Sequence, residues 1–549
     1  MLRYKLQLIF ICIAQIVLYC LFNVRKNDEN ESNGLEEIRH SPAPDTEYER
    51  ARRKSIQDAK ELLWYLEAEL SNSSSEEEIQ TILMEVKSRQ SIILSQFDDI
   101  SLHDGYKSWR EKEHLELSDI VQRRIYSIQN PQSCSNAKKL LCSLDSDCGF
   151  GCQFKRIVIC LIISYATERT MLLETRDWSY SCEGGGKFED IFQHPSNSCV
   201  LHRDYDISGK EILDWPGTED AEVIKYSFAR HSGDYIPNFI PPFIPEDLVD
   251  RIILLHENPA LWWVSQFVKF LWKFQPTTQL MLNEIARDFE SREVIVGIHI
   301  RRSDKITEKE SQYHTVDEYM KYAKEYFDQE EIKRKVKLTT RNLFVSSDDP
   351  TVFNEIRNKF PEYEVLGDDS RSRSASLKYR YSIKSLMDLI SDIHFLSLSD
   401  YIVCTLSSNV CRLAYEIQQQ RFSDGSRNVH YLDNHWASFI RGNQIHQHVE
   451  QAIYSHQANS PLEISFDIGD KISDIKHQQD GYGFGRLEKN NLTGMYPRFK
   501  TIGVTKTFAF PSTFNSSYYT TKTTSLNEEK EVETDKIIGK SENLNQYLQ

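Results

Sequence analysis

The chain has 549 residues and a formal net charge of -16, with 66 Lys and Arg against 82 Asp and Glu. That balance excludes a nucleic-acid binder working through a broad basic face, while leaving room for a local basic pocket. Hydrophobic residues make up 40% and aromatics 11%, enough for a sizeable core, and the length corresponds to roughly three domains.

Leu6–Phe22 is an apolar run interrupted by Gln7 and Gln15 and flanked by Arg3, Lys5, Arg25 and Lys26. It is near the length of a membrane-spanning helix. A cleaved signal peptide needs a small-residue site, which is missing after Tyr19. Residues 1–26 therefore read as a cytoplasmic tail and an uncleaved anchor. The flanking charges are balanced and do not set its orientation. Sequons at Asn30, Asn72, Asn491 and Asn515, with 11 cysteines in the chain, point to a lumenal, oxidising compartment for the remainder. A short tail, one anchor and a large lumenal body is the layout of a single-pass type II membrane protein of the Golgi.

Residues 27–130 read as a polar linker followed by helices. Leu62, Leu63, Leu66 and Leu70 recur at helical spacing, as do Ile79, Ile82, Leu83 and Val86, and then Leu117, Ile120, Val121, Ile125 and Ile128. Ser71–Ser75 and Asp104-Gly105 separate the three helices, and Pro131 ends them. Such a stripe must pack against something. A stem that spaces the body from the membrane and a coiled coil that makes a homodimer both fit.

Cys134, Cys142, Cys148, Cys152 and Cys160 cluster, followed by Cys182 and Cys199, then Cys404 and Cys411; two more lie in the apolar run. The cluster is a disulfide framework or a zinc site, and no nearby pair has C-x-x-C spacing. Ile157–Tyr165 predicts a buried helix and Met171–Glu174 a strand after it.

From Val294 strands and helices alternate. Val294–Ile300 is a near-continuous apolar run, as suits a strand covered on both faces. It ends on Arg301 and Arg302. Ligands of open α/β sheets bind at such strand ends, and guanidinium forks match phosphate oxygens bidentately. The pair reads as a diphosphate clamp, or as two arginines salt-bridged to nearby acids. A helix around Val316–Phe327, a strand at Leu343–Val345, a helix at Pro350–Phe360, an amphipathic helix at Leu386–Leu398, a strand at Tyr401–Cys404 and a helix from Cys411 follow. This alternation predicts a Rossmann-like sheet. No G-x-G-x-x-G is present, so the dinucleotide fingerprint is absent. Beyond Ala452, short strands with Gly469-Asp470 and Asp480-Gly481 turns suggest a small SH3-like barrel. Paired tryptophans near Tyr482 are missing and Ser455 and His456 replace acids, so no Pro-rich ligand groove is expected. Residues 506–549 are rich in Thr, Lys and Glu and are expected to be disordered.

Several of these segments resemble the core α1,6-fucosyltransferase family: Trp109–Glu113, Val121–Ile125, Trp262–Lys269, His299–Lys305, Asp392–Ser397 and Cys404–Cys411. The resemblance spans residues 55 to 505. It implies an α/β fold of modified GT-B type, with a helical stem at 27–130, an open α/β subdomain at 131–288, a Rossmann-like subdomain binding GDP-fucose at 289–449 and an SH3-like domain at 450–505. It implies transfer of fucose to the 6-hydroxyl of the innermost Asn-linked GlcNAc of an N-glycan, with inversion and with neither cofactor nor metal. Asp145-Ser-Asp147, a D-x-D triplet, accordingly reads as an exposed pair of acids.

Residue by residue, the resemblance puts Arg301 and Arg302 on the diphosphate, Arg301 at the β-phosphate. His299 lies near the guanine, Asp392 pairs with it, and Ser408 sits in a loop that contacts the diphosphate. Tyr319, Asp348 and Asp349 line the active site, and Asp304 and Lys305 contribute to acceptor and donor geometry. The base is a glutamate. Spacing counted back from His314 selects Glu310, and spacing counted forward from Lys305 falls nearer Glu308, since the segment is one residue longer than the family pattern. The implied disulfides are Cys134–Cys199, Cys142–Cys160, Cys148–Cys152 and Cys404–Cys411, with Cys182 left over. A protein O-fucosyltransferase-like enzyme and a non-catalytic Golgi glycan-binding scaffold are the alternative readings.

Overall fold

The computed structural model describes residues 46–70, 75–143, 148–175, 178, 187–227, 239–302, 312–375, 381–433, 436, 440–441, 444–445, 449–477 and 481–511. The apolar run at 6–22, Asp145 and Asp147, Cys182, the sequons at Asn30, Asn72 and Asn515, and Asp304, Lys305, Glu308 and Glu310 lie outside the described residues. Among the described residues no helix is long and apolar enough to cross a membrane.

Three helices come first: α1 (Thr46–Leu70), α2 (Glu76–His103) and α3 (Lys107–Gln129). Between α2 and α3, Asp104 accepts the Tyr106 N–H at 2.8 Å and Gly105 takes a positive φ of 76°, the turn chemistry that the Asp-Gly pair favours. Leu62 and Leu66 of α1 pack on Ile79, Ile82, Leu83 and Val86 of α2. The apolar stripe of these helices thus finds its partner within the same chain. Leu117, Val121 and Ile125 of α3 are buried in the main core.

The first sheet contains β1 (Lys139–Ser143), β2 (Thr170–Glu174), β3 (Ile212–Asp214) and β4 (Val223–Tyr226), all parallel, in the order β2-β1-β4-β3. The crossover from β1 to β2 is α4 (Phe150–Ala166), apolar on nearly every side and buried accordingly. β5 (Phe243–Pro245), α5 (Val249–Leu255), α6 (Pro259–Leu271) and α7 (Pro276–Glu290) lead out of this layer.

The second sheet is built from β6 (Ile295–Ile300), α8 (Val316–Arg334), β7 (Arg341–Ser347), α9 (Thr351–Lys359), β8 (Tyr363–Leu366), α10 (Asp369–Ser374), α11 (Ile383–Leu398), β9 (Tyr401–Cys404), α12 (Asn409–Gln418) and β10 (Val429–Tyr431). Its order is β10-β9-β6-β7-β8, and every pairing is parallel. The chain starts at the centre with β6, winds outward to β8, and returns to the other side of β6 with β9. This is a doubly wound sheet whose winding reverses between β6 and β9, and a crevice opens at the carboxyl ends of strands so placed. All six residues of β6 are buried. Gly297 lets α11 approach: a Cβ there would lie 2.7 Å from Ser399 Oγ and 3.1 Å from Leu396 Cδ2. One apolar cluster runs from α3 and α4 through α6 to α11 and α12, so the two sheets share a core.

Antiparallel strands Glu450–Ala452, Lys471–His477, Tyr482–Leu487, Thr493–Pro497 and Thr501–Gly503 form a separate five-stranded sheet over Ile464, Phe466, Ile472, Leu487 and Tyr496. The composition predicts disorder from residue 506 onward, and at 506–508 the structure differs. Lys506–Phe508 pairs in parallel with β5. Phe508 meets Phe239, and Phe510 meets Tyr165 and Trp263, so two aromatics in a polar tail gain apolar partners that its composition does not reveal. The sulfurs pair as Cys134–Cys199, Cys142–Cys160, Cys148–Cys152 and Cys404–Cys411, which removes all eight from any zinc site.

Candidate active site

The carboxyl ends of β6, β7 and β9 collect most of the described candidate residues. Arg301 and Arg302 directly follow β6. Asp348, just beyond the end of β7, accepts the Arg302 backbone N–H at 2.8 Å through Oδ1 and faces Arg301 Nε at 3.2 Å through Oδ2. Arg302 Nη1 donates to Glu355 Oε2 at 3.0 Å and stands 3.6 Å from Asp349 Oδ2, with its guanidinium carbon 5.2 Å from the centre of the Tyr313 ring. Asp349 chiefly caps α9, accepting from the Thr351 N–H at 2.9 Å and the Thr351 hydroxyl at 2.7 Å. Burial disfavours the charged form of Arg302, but Glu355, Tyr313 and Asp349 outweigh it and hold its pKa above the ordinary value.

The reading of the pair as arginines salt-bridged to nearby acids is met. Acids fix the arginines, yet they do not use up the fork. Arg302 Nε and Nη2 are buried and have no hydrogen-bond partner among the described residues. A buried donor without an acceptor costs about 1–3 kcal/mol, more when charged. An oxyanion at the strand tip satisfies two such donors at once.

Behind the arginines runs a chain of buried polar groups. His299, 3% exposed in β6, lies with Nε2 at 3.0 Å from Ser408 Oγ and Nδ1 at 3.3 Å from Ser346 Oγ. The Ser346 hydroxyl donates to Asp392 Oδ2 at 2.8 Å, and Arg371 Nη1 donates to Asp392 Oδ1 at 3.1 Å. Burial, with Arg301 adding, pushes the His299 imidazole down to about 4. Burial pushes the Asp392 carboxyl up to about 6 against the pull of Arg371 and Ser346. At neutral pH the histidine is uncharged and the aspartate ionised.

The Thr405–Ser408 loop sits between the bonded Cys404 and Cys411. Asp433 accepts the N–H groups of Leu406 and Ser407 at 2.7 and 3.1 Å, and buried Arg412 donates to the Leu406 carbonyl at 2.6 Å. Tyr319, 1% exposed, packs among Val316, Met320 and Ala323, and burial raises its hydroxyl pKa.

The structure thus unites Arg301, Arg302 and Asp348 in one group and His299, Ser408 and Asp392 in another. Tyr319 is buried with its hydroxyl beside Thr405, in the loop that ends at Ser408, and Asp349 is shared between a helix cap and the arginines. Asp304, Lys305 and Glu310, with Glu308, fall outside the described residues. Ser346, Arg371, Glu355 and Asp433 are additions. Ser346 and Ser347 carry a legible signal, since hydroxyls break the apolar run of β7 at its end. Arg371, Glu355 and Asp433 carry none, because nothing local distinguishes them from surface charges.

Residues 21–436 match the model of the alpha-(1,6)-fucosyltransferase N- and catalytic domains. The alpha-(1,6)-fucosyltransferase of Drosophila melanogaster is 36% identical over 468 residues, covering 83% of this chain and 73% of the relative. That of Caenorhabditis elegans is 34% identical over 411 residues, covering 74% and 71%. A solved Bradyrhizobium fucosyltransferase overlaps 51% of this chain and 92% of its own at 12% identity, with a TM-score of 0.32, too loose an overlap to bear on the fold.

Proposed function

The chain belongs to the alpha-(1,6)-fucosyltransferase family, and on that premise we propose that it moves fucose from GDP-fucose to the 6-hydroxyl of the innermost Asn-linked GlcNAc of N-glycans, inverting the anomeric carbon. The observation that carries this reading to a mechanism is the Arg302 guanidinium at the tip of β6, fixed by Glu355 and still presenting two unsatisfied donors.

Inversion is a single in-line displacement. The glutamate base, Glu310 with Glu308 as the other candidate, takes the proton of the acceptor hydroxyl. The acceptor oxygen bonds to fucose C1 as the C1–O bond to the β-phosphate breaks, and GDP leaves with the electron pair. Negative charge grows on the β-phosphate at that moment, where prearranged donors lower the barrier most. Arg301 and Arg302 supply them, with Asp304 and Lys305 shaping acceptor and donor geometry. The Asp392 carboxylate accepts from the guanine, with His299 beside it. No step in this scheme calls for a metal or cofactor.

We place this chemistry on a GT-B-like pair of α/β domains, the two parallel sheets, and read the sheet at 450–503 as the SH3-like barrel and α1–α3 as the stem. A Golgi type II anchor with a lumenal body is supported by the four disulfides and by the sequon at Asn491, exposed in a turn. A homodimer through the helices draws on side chains outside the packed stripe, such as Met84, which is 65% exposed.

The deciding experiment incubates the purified chain with GDP-fucose and a glycopeptide bearing an exposed GlcNAc arm, and reads the product linkage. Fucose at the 6-position of the Asn-linked GlcNAc is the expected result. Fucose on a Ser or Thr hydroxyl, or no transfer, overturns the reading.

A further inference from the structure

We infer that Ser346 is a positioning residue that couples the base end of the donor site, Asp392, to its diphosphate end, Ser408. This rests on the donor-site reading given above, and Ser346 is assigned by none of it. The directions of the protons along the relay require it. An ionised carboxylate only accepts, so the Ser346 hydroxyl must spend its one proton on Asp392 Oδ2, at 2.8 Å. What Ser346 then presents to His299 Nδ1, at 3.3 Å, is a lone pair. The Nδ1 nitrogen must therefore carry the ring proton. A neutral imidazole has a single N–H, so Nε2 is bare, and the Ser408 hydroxyl, at 3.0 Å, must donate to it. One negative charge thus sets the direction of three successive hydrogen bonds.

The surroundings keep the chain in this state. Among the described residues, the charged groups acting on Asp392 are Arg371 and Asp388, and those acting on His299 are Arg301 and Asp348. Ser346 is itself only 3% exposed and sits in the middle of the relay. Ser408 also opens α12, at the end of the loop clamped by Asp433 and Arg412. Its side chain ties the loop to His299 of β6. Removing the Ser346 hydroxyl leaves the His299 N–H and Asp392 Oδ2 each short of a partner, lets the ring turn or change tautomer, and releases Ser408. The site then grips the outer phosphate less well, although Ser346 is two hydrogen bonds away from Ser408. A donor whose base fails to engage Asp392 correctly is penalised in the same way, so recognition of the base and grip on the phosphate are one unit.

The test is calorimetric binding of GDP and GMP to the full chain as wild type, Ser346→Ala, Ser408→Ala and the double variant. The ratio of the GMP to the GDP dissociation constant measures what the β-phosphate contributes. We expect Ser346→Ala to cut that ratio about tenfold, the scale of one charge-assisted hydrogen bond. In the Ser408→Ala background the same substitution should change it by less than about twofold. A Ser346→Ala that weakens GDP and GMP equally, or that acts undiminished in the Ser408→Ala background, is merely structural and overturns the proposal. If Ser346→Ala does not fold, Ser346→Cys, close in size but a weak donor, is read against the same two criteria. If the wild type binds neither nucleotide, the donor-site reading itself fails, and the coupling with it.

Discussion

Asp348 holds two successive residues at once: one carboxylate oxygen takes the Arg302 backbone N–H at 2.8 Å and the other faces Arg301 Nε at 3.2 Å. The strand tip and the first guanidinium are thereby fixed by one buried side chain, only 3% exposed. Asp348→Asn keeps the shape and removes the charge. It should lower kcat by about 10–100-fold with little change in melting temperature, since the arginine fork loses its orientation while the backbone keeps an acceptor. Asp348→Ala removes the acceptor of the Arg302 N–H and the carboxylate that faces Arg301 Nε, and should cost about 1–3 kcal/mol in denaturant unfolding.

Arg301→Lys retains charge and loses the planar fork. The expected effect is a fall in kcat of about 10²–10³-fold, the scale of removing one prearranged donor from a developing oxyanion. Steady-state kinetics with GDP-fucose check it, and near-wild-type turnover counts against a bidentate phosphate contact.

Glu310→Gln should abolish transfer by about 10²–10⁴-fold while leaving GDP binding unchanged, because the base touches the acceptor and not the nucleotide. Glu308→Gln is the matched comparison. Full activity in Glu310→Gln with loss in Glu308→Gln assigns the base to the other spacing. Activity of both wild type and variants measured after exhaustive chelation should be unaltered, in keeping with a scheme that uses no metal.

The Asp392 carboxyl is raised from 3.8 to about 6 by burial. A raised carboxyl holds its proton more tightly folded than unfolded. Its stabilising contribution is complete below the unfolded value and is lost as pH rises through about 6. The anionic form that accepts from a base exists above that point. GDP-fucose, whose phosphates do not titrate here, should therefore bind about tenfold more weakly at pH 5 than at pH 7, and Asp392→Asn should flatten the profile. His299 runs oppositely: its depressed value gives stability present above 6.5 and lost as pH falls through about 4, so it stays neutral in this window.

Gly297→Ala places a Cβ 2.7 Å from Ser399 Oγ in the seam between β6 and α11. Overpacking there should cost about 1–3 kcal/mol, read as a lower denaturation midpoint. Phe508→Ala, in the segment whose composition suggests disorder, should cost about 2 kcal/mol through its contacts with Phe239 and Phe510.

Much of this architecture was legible in the sequence for local reasons. The six-residue β6 is rich in β-branched residues and buried, so it declares itself, and the arginines that follow it stand at the carboxyl edge of a parallel sheet, where ligands of such sheets bind. The stripe through Leu62 and Leu66 declared helices but not their partner, because periodicity says that a face is buried and not against what. The relay was illegible because its members are far apart in sequence: His299 and Ser346 are 47 residues apart, Ser346 and Asp392 46, and His299 and Ser408 109. Only the sheet order brings them together. The strand at Lys506–Phe508 is not legible in the sequence because its partners, β5 and a distant aromatic cluster, override the polar composition around it.

On the proposed function, the tip of β6 receives the nucleotide diphosphate. A crystal structure of the full chain with GDP tests it most directly. The β-phosphate should accept hydrogen bonds from Arg302 Nε or Nη2 and from Arg301, with the guanine edge on Asp392. A nucleotide bound away from the carboxyl ends of β6, β7 and β9, or one whose phosphates leave both guanidinium groups untouched, would contradict it.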